Sequence, residues 1–286
     1  MSALTQWQLK TRSLDLANGT LVMGIVNATP DSFSDGGQFV DPAAAIRRGL
    51  EMADAGVAII DVGGESTRPY SDPVATDEEI QRVIPVIRGL IQSNSNVVVS
   101  IDTSKAAVAR AALEAGAEII NDVTGLEGDP EMMAVAQEYQ PGVCAMHMRG
   151  TPQTMQDDPS YENVVEEIYR YLEQRKAVLC QHGIDLSRIC LDPGIGFGKT
   201  HQHNLTLLSR AEAFLDLGTP ILIGHSRKGF IGNVLADKTV ERDSGTLAIS
   251  IAMAAKGIHI VRVHAATETV RALKMFGAIQ EQPCVD

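Results

Sequence analysis

The stretch LVMGIVNATPDSFSDGG, residues 21–37, contains the junction that decides the fold of this chain. Its first six residues are apolar, which predicts a buried strand over residues 21–26. The next four residues, Asn27-Ala28-Thr29-Pro30, stand where a doubly wound open sheet would carry a glycine-rich phosphate turn. A loop of hydroxyls, carboxylates and a carboxamide follows instead. Such polar loops follow the strands of barrel enzymes, and a barrel is therefore the favoured fold.

Eight apolar runs alternate with longer amphipathic segments along the 286 residues. The runs are 21–26, 57–62, 97–102, 118–122, 143–148, 188–192, 220–224 and 258–264. Helix start signals lie between them, because Asp41-Pro42 is typical of a capped helix start and Thr76–Glu79 fits a capping box. This alternation predicts an α/β fold with a single (β/α)8 TIM barrel over residues 1–286. Residues 1–18 are expected to be an N-terminal extension packing on or near the barrel, and the first two strands are followed by long loops over the mouth.

Composition and charge limit the partners of this chain. Its formal net charge is −12, which argues against nucleic acid or an anionic membrane as the main partner. Its four cysteines have neither a CxxC spacing nor a small-domain disulfide pattern, which predicts reduced thiols. The first residues lack an apolar signal core, and no apolar run reaches the ~18 residues of a membrane span. We therefore expect a cytoplasmic protein that acts on small molecules.

Every predicted strand ends in a polar or ionisable side chain, and in a barrel these ends meet at one mouth. The side chains are Asn27, Asp61 with Glu65 and Arg68, Asp102, Asn121, His147, Asp192, Ser226 with Lys228, and Arg262 with His264. Helix capping explains any one of them about as well as function does. Capping does not, however, require Arg, Lys or His at these positions. The complete set predicts a functional site.

The last strand carries two cationic side chains. Alternation in residues 258–264 places Arg262 and His264 on one face. A buried arginine needs an anionic partner. The pair therefore predicts either a clamp for phosphate or diphosphate, or an internal ion pair between Arg262 and Asp61 or Asp192.

Asp102, Asn121 and Asp192 close three of the other strands. Such groups ligate metals, perform acid–base chemistry or accept N–H bonds from a heterocycle. Only one histidine, His264, clearly joins them, which weakens the metal interpretation, whereas an amidine-like N–H pair such as that of guanine suits a carboxylate acceptor.

Residues 194–200 resemble a phosphate-binding loop, but Pro193 occupies the position of its first glycine, and we do not assign that function. His147, between two methionines, is explained equally well as a core residue and as a site residue.

Eight motifs in this order resemble the dihydropteroate synthase family. They are 27–37, 61–69, 102–105, 120–122, 146–148, 192–194 with 196–199, 226–228 and 262–264. The resemblance covers about residues 21–277. It implies a (β/α)8 transferase of folate biosynthesis, commonly a homodimer and a sulfonamide target. Members of the family join para-aminobenzoate to hydroxymethyl-dihydropterin diphosphate and release diphosphate, with Mg²⁺ as the cofactor.

The resemblance also implies residue roles. The pterin-binding residues are Asp102, Asn121, Met146, Asp192, Phe197, Gly224 and Lys228. The diphosphate-binding residues are Asn27, Arg68, Arg262 and His264, and Asn27 is also the Mg²⁺ ligand. The aminobenzoate-binding residues are Phe33, Thr67, Arg68, Pro69, Phe197 and Ser226. The catalytic residues are Asp102, Lys228, Arg262 and His264.

Two other functions share part of this pattern. A methyl-tetrahydrofolate-binding methyltransferase domain has the same barrel and pterin pocket, but it needs neither a diphosphate clamp nor the long first loop. A non-catalytic pterin-binding protein would be expected to lose Asn27, Arg262 or that loop, all of which are intact. The chain departs from the family pattern at Ala28, Tyr70 and His225, none of which removes a residue on which the assignment depends.

Overall fold

A parallel sheet of eight strands organises the part of the chain that the computed structural model describes, which is residues 4–29, 41–66, 71–151, 153–236 and 242–281. The strands are β1 (Gln6–Gln8) and β2 (Ser13–Asp15), which form a hairpin, and β3 (Leu21–Asn27), β4 (Ile59–Gly63), β5 (Val99–Asp102), β6 (Ile119–Asp122), β7 (Gly142–Met146), β8 (Ile189–Asp192), β9 (Leu222–Ile223) and β10 (Ile260–Val263). The order in the sheet is β8-β7-β6-β5-β4-β3-β10-β9. A bridge between Leu191 and Ile221 joins its two edges, so the sheet closes into a barrel.

Helices follow the barrel strands and cover the outside of the barrel. They are α1 (Pro42–Asp54), α2 (Thr76–Ser93), α3 (Ala106–Glu114), α4 (Met132–Tyr139), α5 (Val164–Gln181), α6 (His201–Ser209), α7 (Gly229–Val234), α8 (Asp243–Ala255) and α9 (Ala266–Gln280). Outward side chains of the strands and inner faces of the helices form the larger hydrophobic cluster. The (β/α)8 architecture predicted from the alternating runs is confirmed. No helix in these ranges combines the length and apolar character needed to cross a membrane.

Two predicted helix starts have different outcomes. Asp41 caps α1 as predicted, because its Oδ1 accepts a bond from the Ala43 N–H at 2.9 Å and proline follows it. The predicted capping box at the start of α2 is wrong. Ala75 is the N-cap and forms no side-chain cap bond, and the Glu79 carboxylate instead lies 2.6 Å from the Lys105 ammonium. A buried carboxylate gains more from this charged donor than from a backbone N–H.

The inside of the barrel contains two layers of different chemistry. The lower layer is apolar and comprises Met23, Ile59, Val98, Ile119, Cys144, Cys190, Leu222 and Ile260, covered from below by Trp7, Leu9 and Leu16. Because side chains alternate along a strand, the residues two positions further on share the same inward face. These are Ile25, Asp61, Ser100, Asn121, Met146, Asp192, Gly224 and Arg262. The barrel interior therefore changes from apolar to mainly polar between one layer of inward-facing side chains and the next layer toward the mouth.

Candidate active site

Arg262 lies at the centre of the polar layer and forms two ion pairs. Its Nε donates to Asp61 Oδ2 at 2.6 Å, and its Nη2 donates to Asp102 Oδ2 at 2.5 Å. Asn121 Nδ2 also donates to Asp61 Oδ2, at 3.1 Å. Burial lowers the pKa of Arg262, but Asp61 and Asp102 together raise it above its ordinary value. Of the two interpretations of Arg262, this structure contains the internal ion pair, with Asp61 as predicted and with Asp102 in place of Asp192.

Each of the two carboxylates beside Arg262 uses only one of its two oxygens in hydrogen bonds with the described residues. Asp61 Oδ1 and Asp102 Oδ1 are buried and have no hydrogen-bond partner among the described residues. Burial raises the pKa of Asp102 to about 7, while the charge of Arg262 opposes that shift. A buried acceptor without a partner costs free energy, and a ligand that donates an N–H bond removes that cost. The site is therefore suited to a ligand with hydrogen-bond donors.

Asp192, Lys228 and Phe197 form a second group at the mouth. Asp192 Oδ1 accepts a bond from Gly194 N at 2.7 Å, and burial raises the pKa of Asp192. The Lys228 ammonium donates to the carbonyl of Ile195 and lies 4.4 Å from the centre of the Phe197 ring. Burial lowers the pKa of Lys228 to about 7, against the opposing charge of Asp192. Lys228 therefore lies against an aromatic face and interacts electrostatically with Asp192.

Gly224 and Met146 complete the wall around Asp192. A Cβ at Gly224 would lie 3.6 Å from Asp192 Oδ2, so glycine leaves the carboxylate accessible from this side. Met146 is paired with Asp192 in the register of β7 and β8 and is buried. These two positions provide space and apolar contact beside the polar groups.

Ser226 and His264 are hydrogen-bonded to each other across neighbouring strand ends. Ser226 Oγ lies 3.0 Å from His264 Nδ1 and accepts a bond from the His264 N–H at 3.1 Å. His264 follows directly after β10, which ends at Val263, and its contact with Ser226 places it beside the segment after β9. The predicted placement of Arg262 and His264 on one face stays a prediction.

Asn27 ends β3 on the inward face, four residues after Met23 of the apolar layer. The described residues contain no group of three His, Cys, Asp or Glu side chains that could hold a metal ion. Mg²⁺ does not require such a group when it is bound through one or two protein oxygens and substrate phosphates. The carboxamide oxygen of Asn27 is a hard donor at the mouth, and it fits this mode of binding.

Several predicted site residues fall outside the described ranges. They are Phe33, Thr67, Arg68 and Pro69, together with most of the first long loop. Their roles stay predictions.

Two lysine contacts were not anticipated from the sequence. Lys105 Nζ bonds to Glu65 Oε2 at 2.5 Å and to Glu79 Oε2 at 2.6 Å, which ties the segment after β4 to α2. Lys199 Nζ bonds to the carbonyl of Phe197 at 2.8 Å and to Nδ1 of His147 at 3.0 Å. Both lysines lie in segments whose short motifs matched the family, and the matches gave no information about their partners.

Comparison with known proteins places this chain in a family. The family model described as "Pterin binding enzyme" matches residues 23–264. The chain is thus a pterin binding enzyme on a (β/α)8 barrel. It is 46% identical over 266 residues to the dihydropteroate synthase of Escherichia coli strain K12, which covers 93% of each protein.

Two solved structures of Xanthomonas albilineans dihydropteroate synthase are similar over nearly the whole length. The complex with 4-aminobenzoic acid has a TM-score of 0.89 and 39% identity, and covers 98% of this chain and 99% of that one. The complex with 7,8-dihydropteroate has a TM-score of 0.87 and 38% identity, with 97% and 100% covered. The chain belongs to the dihydropteroate synthase family, as the motifs predicted.

Proposed function

We propose that this protein condenses para-aminobenzoate with hydroxymethyl-dihydropterin diphosphate, giving dihydropteroate and diphosphate in folate biosynthesis. The observation that carries the proposal is the arrangement around Arg262. One guanidinium lies between two buried carboxylates, each of which keeps one oxygen that no described residue bonds. A substrate that carries both an anion and N–H donors complements this arrangement. The sequence identity of 46% to a dihydropteroate synthase supports the same reaction.

The pterin ring is proposed to lie against the carboxylate side of the site. Its N–H donors pair with Asp102 and Asp192 and its oxygen acceptor with the Lys228 ammonium, while Asn121 offers both a donor and an acceptor. Met146, Phe197 and Gly224 line the faces of the ring. The buried Oδ1 of Asp102, which has no partner within the described ranges, supports this assignment.

The diphosphate is proposed to bind Arg262 and His264. Arg262 uses two of its five N–H donors for Asp61 and Asp102, so donors remain for a bound diphosphate. The pterin N–H donors are proposed to pair with the other oxygen of Asp102, while Asp61 keeps its bond to the Nε of Arg262. The two halves of the substrate then bind to the two ends of one ion pair. Mg²⁺, held by Asn27, would neutralise further charge on the diphosphate oxygens.

Para-aminobenzoate is proposed to bind beside Phe197 and Ser226, with Phe33, Thr67, Arg68 and Pro69 completing its site. The Phe197 ring offers an apolar face for the benzoate ring. A sulfonamide has the same aromatic amine and an anionic end, and we expect sulfonamides to compete at this site.

The reaction is proposed to be a dissociative substitution. The bond between the pterin methylene carbon and the diphosphate oxygen breaks first, and its electron pair leaves with diphosphate. Arg262 and His264 stabilise the charge that develops on the leaving group, and Asp102 stabilises the dihydropterin cation. The amine nitrogen of para-aminobenzoate then forms the new carbon–nitrogen bond and loses a proton. The amine is weakly basic and needs no strong general base.

The assembly and the compartment are proposed on the resemblance and the composition. A homodimer is supported by the family resemblance, and sedimentation of the purified protein tests it. A cytoplasmic location is supported by cysteines without disulfide spacing. Fractionation of cells that express the full chain tests it.

The test of the proposed function is a coupled product assay. Purified protein receives Mg²⁺, hydroxymethyl-dihydropterin diphosphate and para-aminobenzoate, and diphosphate release is measured while mass spectrometry identifies the pterin product. Dihydropteroate formed in step with diphosphate supports the proposal. Folded protein that binds the pterin but forms no product would contradict it. Such protein would then be tested for methyl-tetrahydrofolate binding.

A further inference from the structure

We propose that Lys199 is a positioning residue, which holds Phe197 over Lys228 and so sets the shape of the pocket between the pterin and the aminobenzoate. This inference rests on the proposed function for its kinetic test. Lys199 lies in the segment 194–200, which resembles a phosphate loop in sequence but has no such role in the proposed reaction.

The ammonium of Lys199 is directed into the protein. Lys199 is 2% exposed, and its Nζ contacts the carbonyl oxygen of Phe197 at 2.8 Å, Nδ1 of His147 at 3.0 Å and the carbonyl oxygen of His147 at 3.5 Å. Burial lowers the pKa of His147 to about 2, so its ring is neutral, and burial also lowers the pKa of Lys199. Burying a lysine against neutral acceptors is costly. A gain elsewhere must offset that cost.

The segment that Lys199 holds has little freedom of its own. Gly194 and Gly198 have φ of 70° and 62°, in the left-handed region. A Cβ at Gly194 would lie 1.9 Å from the carbonyl oxygen of His147, and one at Gly198 would lie 2.5 Å from that of Arg149. The segment 194–200 therefore rests directly on the backbone after β7. Lys199 crosses this contact and bonds to both segments.

Phe197 connects the lysine to the active site. Its N–H donates to the carbonyl of Gly194 at 3.1 Å, and its carbonyl accepts from Lys199. Its ring lies 4.4 Å from the Lys228 ammonium, and that ammonium also donates to the carbonyl of Ile195. The positions of residues 195–197 thus set the position of both the ring and the catalytic ammonium. Lys199 fixes those positions through the carbonyl of Phe197.

Lys199→Met is the first variant, because methionine keeps the apolar stem and removes the donors. A displaced Phe197 ring should weaken the binding of para-aminobenzoate equally in the ground state and in the transition state. KM for para-aminobenzoate should therefore rise about tenfold, while kcat changes by less than about threefold. Lys176→Met is the matched control, since Lys176 Nζ also donates to a distant carbonyl, that of Leu217 at 2.6 Å. Its KM should stay at the wild-type value.

A double-mutant cycle separates positioning from general stability. Phe197→Leu should raise KM by a similar factor, and the double variant Lys199→Met/Phe197→Leu should show little further rise. If the rise in KM of the double variant equals the product of the rises in the two single variants, the two residues act independently and the inference is overturned. So would a wild-type KM in folded Lys199→Met.

A structural readout does not depend on activity. The crystal structure of Lys199→Met should show the Phe197 ring displaced from Lys228, and an unmoved ring would overturn the inference even in a protein without synthase activity. If Lys199→Met does not fold, His147→Phe removes one acceptor of the lysine and keeps an aromatic ring in place. A smaller rise in KM and a displaced Phe197 ring are expected there. An unchanged KM and an unmoved ring in folded His147→Phe would overturn the inference.

Discussion

The guanidinium of Arg262 and the carboxylate of Asp102 lie 2.5 Å apart, measured from Nη2 to Oδ2, and this contact joins the two halves of the proposed substrate site. Arg262 is assigned to the diphosphate and Asp102 to the pterin. Because the two residues are partners in the described structure, a change at one of them alters the ionisation of the other. The first two predictions test this coupling.

Arg262→Met should shift the pH dependence of pterin binding toward higher pH. Burial raises the pKa of Asp102 to about 7, and the charge of Arg262 is the main group that lowers it. Without Arg262 the pKa of Asp102 rises further, so the ionised carboxylate that accepts the pterin N–H bonds forms only at higher pH. Calorimetric titration with the pterin substrate between pH 6 and 9 measures the shift. An unshifted profile would contradict the coupling.

The same variant should lose turnover by about 10²–10³-fold, the usual cost of removing one group that stabilises a leaving anion. Arg110→Met is the control, because Arg110 forms an exposed ion pair with Glu138 on the outside of the barrel. Near-normal turnover in Arg262→Met would show that the diphosphate clamp is misassigned.

Asp61→Asn should destabilise the fold as well as reduce turnover. Asp61 is fully buried, accepts a bond from Arg262 Nε at 2.6 Å and accepts another from Asn121. Removing one partner of a buried ion pair costs about 3–5 kcal/mol. Urea denaturation should show this loss, and the double variant Asp61→Asn/Arg262→Met should recover part of it. Equal stability of Asp61→Asn and wild type would show that Asp102 alone is sufficient to stabilise the buried charge of Arg262.

The lowered pKa of Lys228 should make the free energy of unfolding depend on pH in the alkaline range. Burial lowers the pKa of Lys228 to about 7 in the folded protein, from an ordinary value of 10.5. Between these two pH values the unfolded chain binds a proton that the folded protein has lost, so the free energy of unfolding rises with pH. Lys228→Met should lack that rise, and the surface variant Lys256→Met should keep it. Parallel curves for wild type and Lys228→Met from pH 7 to 10.5 would show that the pKa is not lowered.

The dissociative mechanism predicts isotope scrambling without para-aminobenzoate. If the carbon–oxygen bond breaks reversibly in the bound substrate, an ¹⁸O label placed in the bridging position should appear in the terminal oxygens of the adjacent phosphate. Nuclear magnetic resonance of recovered substrate measures the exchange. A sensitive assay that finds no scrambling would favour concerted displacement, provided that the bound diphosphate can rotate.

Alternation along the strands was sufficient to predict the barrel and the inward-facing polar residues. Counting alone places Arg262 on the inward face of its strand, and its ion pairs with Asp61 and Asp102 agree with that placement. The partners of Arg262 were not fully predictable, because periodicity gives the face of a residue but not the distance between side chains of different strands. The alternation therefore indicates Asp61 or Asp192 as a partner but not Asp102, which lies on the same inward face three strands away in the sheet.

Long-range contacts also explain the errors at loops and helix ends. Thr76–Glu79 fits a capping box locally, but Lys105 is 26 residues beyond Glu79 and takes its carboxylate. The ammonium of Lys199 was not assigned to any acceptor, because His147 lies 52 residues away. Local motifs contain no information about such partners, which are brought together only when the barrel closes.

The apolar layer beneath the mouth has a consequence for the strength of the charges above it. Trp7 and Leu9 are fully buried under that layer, so water cannot approach Asp61, Asp102 or Arg262 from below. As far as the described ranges show, solvent can screen these charges from the side of the mouth. A substrate that covers the mouth removes that screening and lowers the local dielectric constant, which strengthens every Coulomb interaction beneath it. The field that acts on the reacting bond is therefore strongest only while the substrate itself occupies the site.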